Sequence, residues 1–378
     1  MKFNHIIIIG LFMITSIVSS PRAQNQPPVV SNVHAEQRTG TKFVDISYTL
    51  ADEDSDTFFV AIQVSRDGGG EFDVPVKSLS GDVGYGVTKG EKAVVWNAGT
   101  DFPEEFGDNF QVKVIASDAP IGKMLPIAGG TFTMGSDNSL VQFKPAHSVT
   151  LSPYYMSATE ITNIQYKLFC DATNRDYPVD PVSNYFTDYP DYPVVNVTWY
   201  DAVEYCNWLS IQSGLTPCYN TSNWSCNFAN NGFRLPTEAQ WERAARGGLS
   251  GMDYPWGNDL RSDSVNYQGY DGALDTLMAN FDTGRGPMPV ASFDSTGFGI
   301  YDIAGNVSEW CNDWYNSEYY YMSPAVDPPG PDSGSDKVKR GGDWHNSHEY
   351  LRCFHRDSKN PGSTIRTYEI GFRIVRKK

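Results

Sequence analysis

Two stretches of the chain alternate apolar and polar residues with the period of a half-buried strand. Val44, Ile46, Tyr48 and Leu50 point one way with polar residues between most of them, and Phe110, Val112, Val114 and Ala116 repeat the pattern. Between the two lie FFVAIQVS and AVVWN, set apart by turn clusters such as Asp67-Gly68-Gly69-Gly70. Past Gly122 the pattern changes to Trp, Tyr, Asn and Gly with few regular periods, and three segments take a helical spacing instead. Each starts on a threonine with a polar partner three residues on, the signature of a capping box: Thr162 with Gln165, Thr198 with Asp201, Thr237 with Gln240. Gly247 supplies the stop of the third helix.

Several short strands without a helical period predict an all-β sandwich of immunoglobulin or fibronectin III type over residues 27–118, acting as a spacer or adhesion module. At the start, Lys2 and the apolar run Ile6 to Val18 predict a secretory signal over residues 1–23. The run is shorter than the ~20 apolar residues of a membrane-spanning helix, so no membrane insertion is expected. A secreted, periplasmic or cell-surface location follows. The first cysteine is Cys170, which argues against a lipid anchor near the cleavage region.

A length of 378 residues suits two units, each large enough to bury a core. The formal net charge of −16 excludes nucleic acid and anionic lipid surfaces as natural partners, because both would be repelled. Export permits disulfides, and Cys218 and Cys226, close together in a loop-like stretch, suggest a local staple. Cys206 reads as a small buried apolar residue, while the pairing of Cys170, Cys311 and Cys353 stays open.

From residue 122 to 376 a series of motifs follows in order: IAGGTFTMGS, EITNIQY, PVVNVTWYDAVEYCNWLS, GFRLPTEAQWERAARGG, YPWGN, GFGIYDIAGNVSEWCNDWY, KRGGDW and EIGFRIV. This series resembles the sulfatase-modifying-factor family, whose type member is the formylglycine-generating enzyme. The resemblance implies an α+β, C-type-lectin-like domain with a small twisted antiparallel sheet, flanking helices and much irregular loop. The Trp-rich motifs around Trp256, Trp310 and Trp314 are expected to pack the core.

Fold alone does not settle activity. In the generating enzymes two cysteines shortly after the Gly-Gly turn hold copper(I), a soft ion that demands thiolates. Here the matching positions fall near Asn346 and Leu351, with Cys353 alone nearby, so no copper is expected. The resemblance also implies a structural calcium, held by the side chains of Asp302 and Glu309 and the carbonyls of Gly305 and Val307. A second calcium site would fall at Asn266 and Asp282. His345, His348 and His355 could gather round a transition metal, but the Gly-Gly start and Pro361 give no helix to align them, and exposed loop histidines are the simpler expectation.

The segment after Gly342 divides into two sets. Trp344, Leu351, Arg352, Arg356, Arg366 and Arg373 match the family scaffold, the arginines bracing it through carboxylates. Between them stand Asp343, His345, Asn346, Ser347, His348, Tyr350, Phe354, His355 and Tyr368, among other residues of mixed size and polarity. This second set resembles the variable region of proteins diversified by retroelements, in which adenines of AAC codons are randomised to give Asp, His, Tyr, Ser, Thr, Gly, Ile or Phe. Aromatic and small polar side chains on a rigid frame suit recognition, as in antibody loops. The expectation is a non-catalytic binder of a protein or glycan ligand through Asp343, His345, Asn346, His348, Tyr350, Phe354, His355 and Tyr368. The alternative is a metal-dependent oxidoreductase of the same family with a non-cysteine site.

Overall fold

The computed structural model describes residues 28–378 apart from 54–56, 70, 71, 73, 75, 77, 104–108, 118–121, 139, 180–184, 260–264, 268–285 and 365–367. The expected leader, residues 1–23, lies outside the described residues. Two compact units emerge: residues 1–120 with 168–176, and residues 121–167 with 177–378.

In the first unit the alternation seen in the sequence becomes strand. β1 (Val29–Gln37), β2 (Phe43–Ala51), β3 (Thr57–Ser65), β4 (Leu79–Gly81), β5 (Gly84–Thr88), β6 (Gly90–Asn97) and β7 (Gln111–Ser117) form two sheets, in the orders β1-β2-β6-β4 and β5-β3-β7. β2 pairs antiparallel with β6 from Phe43 opposite Asn97 to Leu50 opposite Gly90. That register sends Val44, Ile46, Tyr48 and Leu50 inward, where they meet Phe58, Val60, Ile62 and Val64 of β3 in one apolar cluster. Each such side chain contributes about 1.5–3 kcal/mol on full burial. Trp96 fills the centre, and its indole N–H donates to Asp101 at 2.9 Å, so its one polar atom is satisfied.

The second unit mixes short strands with few helices. β8 (Met124–Ile127), β9 (Tyr154–Ser157), β10 (Phe233–Arg234) and β15 (Val375–Lys377) make one sheet in the order β10-β15-β9-β8. β11 (Ser308–Trp314), β12 (Lys337–Arg340), β13 (Asp357–Lys359) and β14 (Ile370–Gly371) make another, ordered β13-β12-β11-β14. The three expected helices are present as Asn163–Thr173, Trp199–Gln212 and Glu238–Arg246. Thr198 and Asp201 close a full capping box, as do Thr237 and Gln240, and Gly247 ends the last helix at φ 55°. Each cap is worth about 1 kcal/mol. Trp241, Ala244 and Ala245 of the last helix pack with Met156, Ile303, Cys311, Val338 and Val375 in the main core of this unit.

The suggested Cys218–Cys226 staple is not formed. The local hairpin sets Cys226 opposite Tyr219 instead, while the Cys218 thiol turns toward the Gly232 carbonyl at 3.3 Å. Cys206 is buried, as expected.

Candidate functional site

The C-terminal segment leaves β12 at Arg340 through a turn that only glycine fits. Gly341 and Gly342 adopt φ 95° and 68°. A Cβ on Gly342 would stand 3.1 Å from both Leu351 and Tyr350, and one on Gly341 would stand 3.0 Å from the Ile303 carbonyl. Both obstacles, left-handed backbone and crowding, act together. Beyond the turn the backbone is tied down: Trp344 N–H donates to the Asn306 carbonyl at 2.9 Å, and His345 N–H donates to Asp343 Oδ1 at 3.0 Å. A short 3-10 helix, His348–Leu351, then carries the chain back inward at fully buried Leu351.

On this fixed backbone His345 is exposed, and Asn346, Ser347, His348, Tyr350, His355 and Tyr368 are half-buried. The His345 and Tyr368 rings lie 5.3 and 6.1 Å from Trp344, and the Tyr350 ring lies 4.4 Å from His355. The expected binding residues thus fall in two groups, His345 and Tyr368 around Trp344, and Tyr350 against His355.

Two of them are corrected. Asp343 is fully buried and Phe354 is 4% exposed, so neither is a contact residue. Phe354 packs toward Phe143, with ring centroids 6.0 Å apart. Asp343 accepts from Ser308 Oγ at 3.0 Å and holds the turn from below. Burial pushes its pKa up to about 6, against the pull of Lys339. His355, wedged 4.8 Å from Phe143, is drawn down to about 4 by burial and by Arg340, so it is neutral near pH 7.

Ser308 and Lys339 lie 3.5 Å apart beneath the segment, an arrangement that invites a nucleophile and base. Burial works against the Lys339 ammonium, but Asp357, 2.7 Å away, and Asp343 outweigh it and hold its pKa above the usual range. A permanent cation takes no proton, and Ser308 is 1% exposed, so the pair braces the turn.

Leu351, near the expected second copper position, is enclosed by apolar groups including Tyr254, Val265 and Ala304. The Cys353 thiol is buried and pushed up to about 12, chiefly by burial, which keeps it protonated. Around it runs an ionic network: Arg340 pairs with Glu238 at 2.9 Å and Glu242 at 2.7 Å, Arg356 with Glu238 at 2.7 Å, and Arg246 with Glu242 at 2.7 Å. Among the described residues no three His, Cys, Asp or Glu side chains converge to hold a metal ion, and this includes the three histidines.

The two carboxylates expected to hold calcium are engaged by other partners. Arg373 grips Glu309 with Nε at 2.7 Å from Oε2 and a second nitrogen at 2.6 Å from Oε1, and Trp241 donates to Oε2 at 2.7 Å. The charge a calcium ion needs is thereby neutralised. Asp302 turns its oxygens to the backbone N–H groups of Ala291 and Phe293. Val307, expected like Gly305 to contribute only its carbonyl, packs its side chain into an aromatic cluster. Of the second set, Asn266 donates to the Gly286 carbonyl at 3.0 Å, and Asp282 lies outside the described residues.

That aromatic cluster was missed in the sequence. Buried Tyr185 and Tyr192 and half-buried Tyr189 pack with Trp344 and Tyr368, bracing the C-terminal segment from the side. The signal was the tyrosine spacing in YFTDYPDY, which has neither strand nor helix period.

The sulfatase-modifying factor enzyme 1-like domain matches residues 111–378. The formylglycine-generating enzyme of Bos taurus is 31% identical over 307 residues, covering 68% of this chain and 75% of that protein. Among solved structures, Treponema denticola variable protein 1 aligns with a TM-score of 0.56 at 29% identity, over 68% of this chain and 95% of that one. PvdO from Pseudomonas aeruginosa aligns with a TM-score of 0.55 at 25% identity over the same shares.

Proposed function

The chain belongs to the sulfatase-modifying factor enzyme 1-like family, and from that premise we propose that it is a non-catalytic member that binds a protein or glycan ligand through its C-terminal surface. One observation carries this reading: in residues 341–356 the anchoring side chains, Asp343, Trp344, Leu351 and Phe354, are buried, while His345, Asn346, His348 and Tyr350 between them stay open. A surface whose backbone is fixed by buried anchors can change its outward residues at little cost in stability. The likeness to a protein named as variable supports the same view. Asn346 and Leu351 stand near the positions where copper(I) would need thiolates, and a lone protonated Cys353 supplies no such pair. The apolar run Ile6 to Val18 gives the protein an exported location, and the N-terminal unit serves as an immunoglobulin- or fibronectin III-like spacer.

The test is a copper(I) titration against a competing chelator, together with incubation of a cysteine-containing sulfatase peptide with oxygen. The proposal expects no stoichiometric copper and no aldehyde in the peptide. Tight copper at one ion per chain with peptide oxidation would make the protein an oxidase.

A further inference from the structure

A second concave site opens beside the Trp256 loop. A cleft of about 270 Å³ opens between the Trp256 loop and the turn 293–296, with Asp302 at one wall. Its volume is close to the lower end of small-molecule clefts, so it admits one side chain or a small ligand and not a folded segment. Trp256 and Phe293 give aromatic surface, Asp294 and Asp302 give carboxylates, and Ser295 and Thr296 give hydroxyls. The described lining has no lysine or arginine.

The site is rigidly built. Trp256 stacks on Tyr254 with the rings 3° from parallel, and its indole N–H donates to the Asp259 carbonyl at 2.8 Å. The buried Asp302 carboxylate accepts the backbone N–H groups of Ala291 and Phe293, which aims Phe293 and Asp294 at the opening. Ala291 and Asp302 both sit in the left-handed region, at φ 59° and 52°. An alanine there has no side-chain compensation, and such backbone persists where surrounding contacts impose it, often at ligand sites.

We propose that this cleft binds a guanidinium group, either of a small ligand or of an arginine side chain on a partner. A planar guanidinium stacks on an indole face and offers N–H groups to carboxylates and hydroxyls at once, which a compact ammonium does less well. Asp302 is already engaged by the Ala291 and Phe293 N–H groups and lies in the field of Arg373, so exposed Asp294 is the carboxylate left to meet one positive charge, and the chain's net charge of −16 draws cations to its surface.

The probe is N-acetyl-argininamide, titrated calorimetrically into the full-length chain, with N-acetyl-citrullinamide as the neutral isostere. The arginine derivative should bind at least tenfold more tightly than the citrulline derivative, and less tightly at high salt. Asp294→Asn, at an exposed position, should weaken it about fivefold or more without moving the unfolding midpoint. Trp256→Leu should weaken it further, with Trp256→Phe restoring part of the loss. Equal binding of both probes, or no heat from the arginine probe at about 10 mM, above the millimolar range of a weak site, overturns the proposal. Binding untouched by Asp294→Asn and Trp256→Leu also overturns it, since the cation would then sit elsewhere on the acidic surface.

Discussion

Arg373 and Glu309 form a two-pronged ion pair with neither side chain exposed by more than 1%. The guanidinium also donates to the Tyr301 carbonyl at 3.0 Å, so it ties the last strands to the 301–309 loop. Removing one partner leaves a buried charge alone. Arg373→Met should therefore cost about 3–5 kcal/mol in chemical denaturation. Because Arg373 already neutralises Glu309, neither millimolar calcium nor a chelator should move the wild-type unfolding midpoint. A rise of several degrees with calcium would restore the calcium expectation.

The division of the C-terminal segment into anchors and open residues makes opposite predictions for neighbouring positions. Phe354→Ala should destabilise by about 3–5 kcal/mol, because it empties a packed site. His345→Ala and His348→Ala should each stay within about 0.5 kcal/mol of wild type. Urea denaturation of the three variants measures the contrast, and a large loss at His345 or His348 would contradict it.

Gly342→Ala combines a left-handed backbone with 3.1 Å contacts to Tyr350 and Leu351. The expected loss is on the order of 1–3 kcal/mol. Amide exchange should rise through residues 343–351, where the backbone bonds set by the turn are made.

His355 gives the segment a defined acid sensitivity. Its folded pKa is drawn down to about 4, below the ordinary histidine value, so the unfolded chain binds the extra proton between the two. Stability from this group is present above about pH 6.5 and is lost as pH falls toward 4. Partial solvent access limits the effect to on the order of 1 kcal/mol. Comparing the pH dependence of unfolding for wild type and His355→Gln isolates it, and parallel curves between pH 4 and 6.5 would refute the assignment.

Local signals were legible in the sequence. The caps at Thr198 and Thr237 depend on residues three positions apart, and the alternation of Val44 to Leu50 needs only its own strand. The family of the C-terminal unit was legible from its ordered motifs. What escaped were fates decided by distant partners. Asp343 looks like one more small polar loop residue until Ser308 and Lys339 are placed beneath it, and Phe354 like an exposed aromatic until Phe143 covers it. Glu309 kept the residue type of a calcium ligand, but Arg373, 64 positions away, had already claimed both oxygens. Cys218 and Cys226 were near in sequence, yet hairpin register decided that they do not pair.

The central claim is that the open residues of the C-terminal segment are a recognition surface free to vary on a fixed frame. The most direct measurement is to sequence the 3′ end of the gene, with its flanking DNA, from several independent isolates. The account predicts differences concentrated at the codons for His345, Asn346, His348 and Tyr350. Asp343, Trp344, Leu351, Phe354 and Arg373 should stay constant, and an adenine-bearing near-copy should lie beside a reverse-transcriptase gene. An invariant segment without such a copy, or variation that falls equally on the buried anchors, would contradict it.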